Sequence, residues 1–199
     1  MIGGFKLLRR VCNIYLIITF ALLLCGCTTG SISPAPLPEA VLKLASSSQR
    51  PIGLSVKTDI NRDIRAYQYA FIVVPLGAVA LPSPVEYVSS VLYRELALSG
   101  YRPITYPAEL ASGRNFPLLE VNVEELNISG FDLFVTRRVR ATVKLSGKLI
   151  NREGNIIRSA YSQSVISLYR RYAFKPELEG ALMRAVNQAA SDLLSKIGI

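Results

Sequence analysis

Apolar and polar residues alternate along several segments of this chain, which is the period-two pattern of β-strands with one buried face. In residues 139–149, apolar side chains alternate with Arg, Thr, Lys and Ser. Residues 53–60 and 156–169 follow a similar pattern, while residues 69–76 are almost continuously apolar, as in a central strand. These four segments are predicted as strands.

A fifth strand is predicted over residues 119–128, with an irregularity inside it. The alternation holds up to Val123 and then slips by one position at Glu124 and Glu125. Such a slip predicts a β-bulge, which inserts one extra residue into a strand. Between the last two strands, residues 151–155 have the sequence Asn-Arg-Glu-Gly-Asn, which predicts a hairpin loop.

Two segments have the three-to-four-residue apolar spacing of amphipathic helices, residues 83–100 and residues 176–197. In the first, Ser83 and Glu86 have the spacing of a capping box, and Gly100 suits the left-handed residue that ends a helix. The order of elements is strand, strand, helix, three strands, helix. It predicts an α+β fold, a mostly antiparallel sheet of about five strands with two helices packed on one face.

The first 26 residues have the layout of a secretory signal peptide. Lys6, Arg9 and Arg10 form a basic start. The apolar run that follows, over residues 11–24, is shorter than the roughly 20 residues that span a bilayer as a permanent helix. We therefore expect this segment to be cleaved.

Leu24-Cys25-Gly26-Cys27 resembles a lipobox, the motif at which bacterial lipoproteins are cleaved and acylated. We predict lipidation of Cys27, with acyl chains such as palmitate anchoring the protein to a membrane. The alternative is an ordinary secretory signal with a cysteine at the cleavage point by chance. Thr28 stands where an inner-membrane lipoprotein would have Asp. By resemblance to Gram-negative lipoproteins, this predicts an outer-membrane anchor facing the periplasm.

Residues 27–51 are rich in Ser, Pro and Ala and are predicted as a flexible linker behind the anchor. Within this segment, Leu37, Val41, Leu42 and Leu44 have a spacing that allows a brief helical turn. Residues 52–199 are predicted as a single periplasmic domain, since they are enough to bury a sizeable core.

The amino-acid composition limits the kinds of catalytic and metal-binding sites that the chain can form. The chain has no histidine, which excludes Ser-His-Asp and Cys-His catalysis and imidazole metal sites. Of its three cysteines, two leave with the signal and Cys27 is acylated, so no disulfide is expected. We expect a protein that is not an enzyme and that needs no metal or cofactor.

The charge balance is basic, with 23 basic and 14 acidic residues and a formal net charge of +9. Loss of Lys6, Arg9 and Arg10 with the signal leaves +6. This surplus favours anionic partners such as lipid headgroups, lipopolysaccharide, peptidoglycan or acidic protein surfaces. Nucleic acid is not expected as a partner outside the cytoplasm.

Basic side chains follow the polar side of the strand predicted at residues 139–149 and the end of its hairpin partner. The candidates for binding an anion or a partner are Arg138, Arg140, Lys144, Lys148, Arg170 and Arg171. The alternative is a solvated sheet face whose charges prevent edge aggregation, with Glu120 and Glu124 pairing some of them. Tyr169 and Tyr172 flank two of the arginines and are candidates for a protein interface. They could equally belong to a loop that enters the last helix.

Three segments resemble Gram-negative outer-membrane lipoproteins of the YajG type and the auxiliary lipoproteins of ABC-type lipid transport systems. The segments are residues 92–101, residues 139–143 leading to Gly154-Asn155, and residues 185–194 of the closing helix. The resemblance covers residues 52–197. It implies a non-enzymatic helper that binds an envelope protein or a transport component in the periplasm.

Two hypotheses follow. In the first, the protein is an accessory lipoprotein of envelope assembly or transport and binds a protein partner. In the second, it binds lipid or lipopolysaccharide through its basic sheet face, as an LptE-like lipoprotein would. If these basic residues point outward with no carboxylate neighbours, the second hypothesis predicts that charge reversal there abolishes binding to anionic lipid or lipopolysaccharide.

Overall fold

A computed structural model describes residues 28–34, 36–60, 64–70, 74–81, 83–106, 115–133, 136–170 and 175–199. These residues form eight strands and three helices. The strands are β1 Thr28–Ser31, β2 Pro51–Thr58, β3 Ile64–Ala70, β4 Val74–Leu81, β5 Arg102–Thr105, β6 Leu118–Leu133, β7 Thr136–Ile150 and β8 Ile156–Arg170. The helices are α1 Glu39–Ser47, α2 Pro84–Leu98 and α3 Lys175–Ile197.

The main sheet has five strands in the order β5-β2-β6-β7-β8. Strand β2 runs parallel to both β5 and β6, whereas β6, β7 and β8 form two antiparallel ladders. The α+β class and the five strands agree with the prediction. The prediction that the sheet is mostly antiparallel is correct only for the part made by β6, β7 and β8. The parallel half joins segments far apart in the chain, so no local turn signal marks it.

A smaller sheet of three strands has the order β1-β4-β3 and lies against β6 through β3. The single central strand predicted at residues 69–76 is wrong, because this region contributes to both β3 and β4. Pro75 is accommodated because it pairs with Tyr69 next to a register shift, where one ladder hydrogen bond is already lost.

The core lies between the main sheet and helices α2 and α3. The apolar residues of β7 that face the helices, Val139, Ala141, Val143 and Leu145, are fully buried. Helix α3 buries Leu178, Ala181, Leu182, Ala185, Val186, Ala189, Leu193 and Ile197. Strand β6 keeps its apolar residues on this face through a bulge between Val123 and Glu125, as predicted. Without the extra residue Glu124, Leu126 and Ile128 would point to solvent.

Helix α2 begins and ends as expected, with Ser83 at its N-cap and Gly100 in the left-handed region at φ 82°. The Tyr101 amide donates to the Leu96 carbonyl over 3.0 Å, which closes the helix end. The capping box is not formed, because the Ser83 side chain makes no capping hydrogen bond.

Part of the segment predicted as a flexible linker has regular structure. Strand β1 pairs with β4, and Ile32 after it is buried in the main core. Helix α1 extends the predicted helical turn and packs Val41 and Ala45 against Ala97 of α2. The segment is ordered because its few apolar residues share one side and find a surface to cover. Two helices were predicted, and α1 makes three among the described residues.

The signal segment and Cys27 lie outside the described residues. Among the helices that the structure describes, none is long and apolar enough to cross a membrane.

Candidate functional site

The candidate residues that the structure describes lie on the open side of the main sheet, which faces away from the helices. A cleft at the other edge of the domain is a second possible site. On β7, Arg138, Arg140, Lys144 and Lys148 alternate with buried residues and therefore share the open side. We call these four residues the basic row. Their alignment on one side of β7 agrees with the period-two pattern of the sequence.

The basic row is flanked by carboxylates on β6. The Lys144 ammonium lies 2.6 Å from the Glu125 carboxylate, and this hydrogen bond raises the pKa of Lys144 above its ordinary value of 10.5. Lys148 lies opposite Glu120 in the ladder, and Glu120 also forms a 2.7 Å ion pair with Lys57 of β2. Positive and negative side chains thus form a mixed network on this face.

Arg138 has a different neighbour. Its guanidinium carbon lies 5.8 Å from the ring centroid of Tyr169, its ladder partner on β8, within the range of a cation–π contact. Arg170 ends β8 opposite Arg137, while Arg171 and Tyr172 lie outside the described residues. The structure therefore joins Arg138 to Tyr169 but does not bring all predicted residues into one cluster.

A second row lies beside the basic row, on β8. Four large side chains spaced four residues apart are exposed there: Ile157 by 54%, Tyr161 by 44%, Val165 by 41% and Tyr169 by 59%. We call these the β8 row. Ser159, Gln163 and Ser167 separate them, and no charged residue occurs from Ser159 to Tyr169. Sequence reasoning found only Tyr169, although four apolar residues on the polar side of an alternating strand were a visible signal.

Strand β8 is an edge of the main sheet, with β7 as its only ladder partner among the described strands. Lys196 reaches from α3 and donates to the Tyr161 carbonyl over 3.1 Å. That carbonyl therefore points away from β7. Lys196 also bonds Asp192 at 2.6 Å, and this hydrogen bond lowers the pKa of Asp192 below its ordinary value of 3.8.

The cleft lies where β5 ends beside β2 and has a volume of about 680 Å³. Its walls come from β2, β5, α2, and the segment around α1. The lining residues are Leu37, Leu42, Leu54, Ser55, Val56, Val85, Glu86, Ser89, Ser90, Tyr93, Thr105 and Tyr106. Sequence reasoning missed this cleft because it forms between elements far apart in the chain. A cavity of this size with mostly apolar walls and a few hydroxyl groups is typical of sites for small apolar ligands.

Within the described part of the chain, no three Cys, Asp or Glu side chains group closely enough to hold a metal ion.

No family model matches this chain, and no curated protein matches it. One similar solved structure is of an uncharacterised protein, with 13% identity, 86% of this chain and 100% of that chain covered, and a TM-score of 0.48. A Xanthomonas campestris protein of the DUF330 family model has 14% identity, covers 85% and 93%, and scores 0.45. A lipoprotein from Neisseria meningitidis has 13% identity, covers 71% and 99%, and scores 0.35. All three TM-scores are below 0.5, so no function is transferred from them, and the resemblance to YajG-type lipoproteins stays a prediction.

Proposed function

We propose that this protein is a lipid-anchored, non-enzymatic accessory lipoprotein of the cell envelope that binds a protein partner through the open side of its main sheet. The observation that carries this proposal is the β8 row, four large apolar or aromatic side chains exposed in one line on one strand, about 13 Å apart. Small uncharged residues fill the spaces between them, so the open side of β8 is free of charge from Ser159 to Tyr169. Charged residues are depleted in the same way at the centres of protein interfaces.

The chemistry of the neighbouring basic row supports a protein partner over an anionic lipid. A phosphate surface would have to compete with Glu125 for Lys144, and it would meet the negative charge of Glu120 opposite Lys148. Alternating charges beside an aromatic patch instead resemble the polar rim and apolar centre of a protein interface. Tyr169, held by Arg138, lies where the two rows meet.

The proposed anchor is the acyl group on Cys27 at the outer membrane, with the domain in the periplasm. It rests on the lipobox sequence and on Thr28 in place of Asp. In this setting the protein acts as an accessory component of envelope assembly or transport, for example beside an ABC-type lipid transport system.

Site-specific photo-crosslinking in cells tests this function. A photoreactive phenylalanine analogue at Tyr169 should give a covalent product with another envelope protein, identified by mass spectrometry. The same analogue at Met183, which is exposed on α3 and far from the open side, is the matched control. Equal products from both positions, or none from Tyr169, would contradict a partner on the open side.

The cleft favours a second candidate, the binding of an apolar ligand such as a lipid acyl chain. Ser89→Trp would fill the cleft and should remove any lipid that co-purifies with the protein, whereas Ser191→Trp on exposed α3 should leave it bound. Retention of the same lipid in Ser89→Trp would exclude the cleft as its site.

Binding through the basic row is tested separately. The double variant Arg140→Glu and Lys148→Glu reverses two exposed charges and should abolish binding of lipopolysaccharide if the basic row holds it. Unchanged binding would exclude the LptE-like interpretation of this face.

A further inference from the structure

We propose that β8 pairs in antiparallel orientation with β8 of a second copy of this chain, about a two-fold axis at Gln163. The inference deepens the proposed function, because it rests on the β8 row being an interface and names a second copy as the neighbour on its edge. It would join two main sheets into one continuous sheet, with the two β8 rows side by side on its open side.

The backbone of β8 directs hydrogen-bonding groups to the outer edge of the main sheet. The Tyr161 carbonyl points away from β7, toward Lys196. Because backbone groups alternate from side to side along a strand, Ser159, Gln163, Val165 and Ser167 direct their amides and carbonyls to the same free edge. A second strand placed there can form a regular ladder with them.

The sequence of β8 is self-complementary about Gln163. Positions equally distant from Gln163 carry complementary side chains on the open side: Tyr161 and Val165, Ser159 and Ser167, and, beyond them, Ile157 and Tyr169. In an antiparallel pair centred on Gln163, each aromatic ring faces a β-branched side chain of the other copy. Such pairs are among the favourable cross-strand contacts.

This symmetry favours a second copy over an unrelated strand. An isologous interface requires that residue i meet residue j while j meets i. About Gln163, every open-side pair from Ile157 to Tyr169 joins either an aromatic and a β-branched residue or two serines. The two Gln163 side chains meet at the axis, where their amides can hydrogen-bond to each other. No like charges oppose each other on the open side from Ser159 to Ser167.

Among the described residues, the opposite edge of the main sheet offers no comparable surface. Strand β5 is four residues long, whereas β8 has fifteen. Long edge strands commonly carry a device that limits unwanted pairing, and Lys196 occupies one carbonyl of β8 in this way. Pairing would require Lys196 to release the Tyr161 carbonyl and keep its bond to Asp192.

Disulfide trapping in the full-length protein tests the proposal. Single cysteines are introduced at Ser159, Gln163 and Ser167, membranes are oxidised mildly, and dimers are measured on non-reducing gels against the unaltered chain, which reports any background from Cys27. Gln163→Cys should form dimer at least about tenfold more than the others, because its Cα lies about 5.5 Å from its own copy.

Ser159→Cys is the matched control on the same side of the same strand. Its copy would lie eight residues away along the strand, about 27 Å, too far for a disulfide. Co-expression of Ser159→Cys with Ser167→Cys should restore the dimer, since these positions face each other. Equal yields at all three single positions, or no dimer from Gln163→Cys, would overturn the proposal.

A second variant separates this inference from the proposed function. Adding Tyr161→Lys and Val165→Lys to Gln163→Cys should abolish the disulfide while circular dichroism remains that of the folded protein. If Tyr169 captures an envelope protein but Gln163→Cys gives no dimer, the two-fold pairing is wrong and the proposed function stands. If the dimer forms but no other protein is captured, the pairing stands and the accessory role fails.

Discussion

The two sides of β7 differ sharply although their residues alternate along one strand. On the side facing the helices, Val139, Ala141, Val143 and Leu145 are fully buried. On the open side, Lys144 forms an ion pair with Glu125 in which both side chains remain partly exposed. The helix-covered side supplies burial free energy, whereas the open side contributes little to stability and leaves its side chains available for contacts. Substitutions on the two sides should therefore have effects of different size.

The largest effect is expected at Leu182 of α3, which is 0% exposed on the covered side. Leu182→Ala should lower the free energy of unfolding by about 2 to 5 kcal/mol, because it removes buried methyl groups and leaves a cavity. Urea unfolding followed by circular dichroism measures the loss. Met183→Ala, next in the chain but 46% exposed, should stay within about 0.5 kcal/mol of the unaltered protein. A similar loss of unfolding free energy in both variants would contradict the inference that burial against the sheet is the main source of stability.

The next effect concerns the close approach of α3 to β7 at Gly147. A Cβ at this position would lie 3.0 Å from the Ile197 side chain and 3.1 Å from that of Leu193. Gly147→Ala should therefore destabilise the protein by about 1 to 3 kcal/mol through overpacking. Its neighbour Ser146 lies on the open side, and Ser146→Ala should be nearly neutral. A gain in stability from Gly147→Ala would show that α3 can move away from the sheet at little cost.

A smaller effect is expected from Asp192 and Lys196 at the border of the two sides. Because the hydrogen bond from Lys196 lowers the pKa of Asp192, the pair stabilises the fold above pH 3.8, and this contribution is lost as the pH falls through the lowered pKa. Asp192→Asn should reduce the difference between urea midpoints at about pH 6 and about pH 3. Lys196→Met should reduce it less than Asp192→Asn does, since the hydrogen bond from Ser162 also lowers the pKa of Asp192 and remains in this variant. If the difference between the urea midpoints at the two pH values is unchanged in both variants, the loss of stability in acid comes from other groups.

The smallest effect is expected at Lys144. Its pKa is raised by the hydrogen bond to Glu125, so the stabilising contribution is present at neutral pH and is lost only as the pH rises above 10.5. Lys144→Gln should lower the urea midpoint less than Gly147→Ala does, because exposed ion pairs contribute little. In about 1 M salt the difference from the unaltered protein should vanish, since salt screens exposed charges. A loss that persists in salt would indicate a role in packing.

The parts of the fold that the sequence predicts well are those with a local signal. The bulge at Glu124 follows from a one-residue slip, and the ends of α2 follow from Ser83 and Gly100. Strand β5 is too short for a pattern, and its parallel pairing with β2 depends on a distant segment. Helix α1 is stable only because α2 offers a surface for Val41 and Ala45.

In the candidate site as well, features with a local sequence signal could be predicted, whereas features that depend on the topology could not. The basic row could be predicted because β7 alternates regularly, and Glu120 lies beside it as expected, but the acidic partner of Lys144 could not be predicted. Glu124 was expected beside the lysines, whereas the bulge leaves Glu124 as the extra residue and brings Glu125 to Lys144. The β8 row can be interpreted as an interface only when β8 is known to be an edge strand, and this depends on the sheet topology and not on the local sequence. The cleft depends on four elements meeting and has no sequence signature.

Strand β1 begins at Thr28, the residue after the proposed anchor, and runs parallel to β4. If Cys27 carries the acyl group, any pull between the membrane and the domain is transmitted along β1. Because β1 has only four residues, its few hydrogen bonds to β4 would break under this force before the core unfolds. Detachment of β1 would add its four residues to the segment that links Cys27 to the domain. A domain bound to a partner could then move further from the membrane without unfolding.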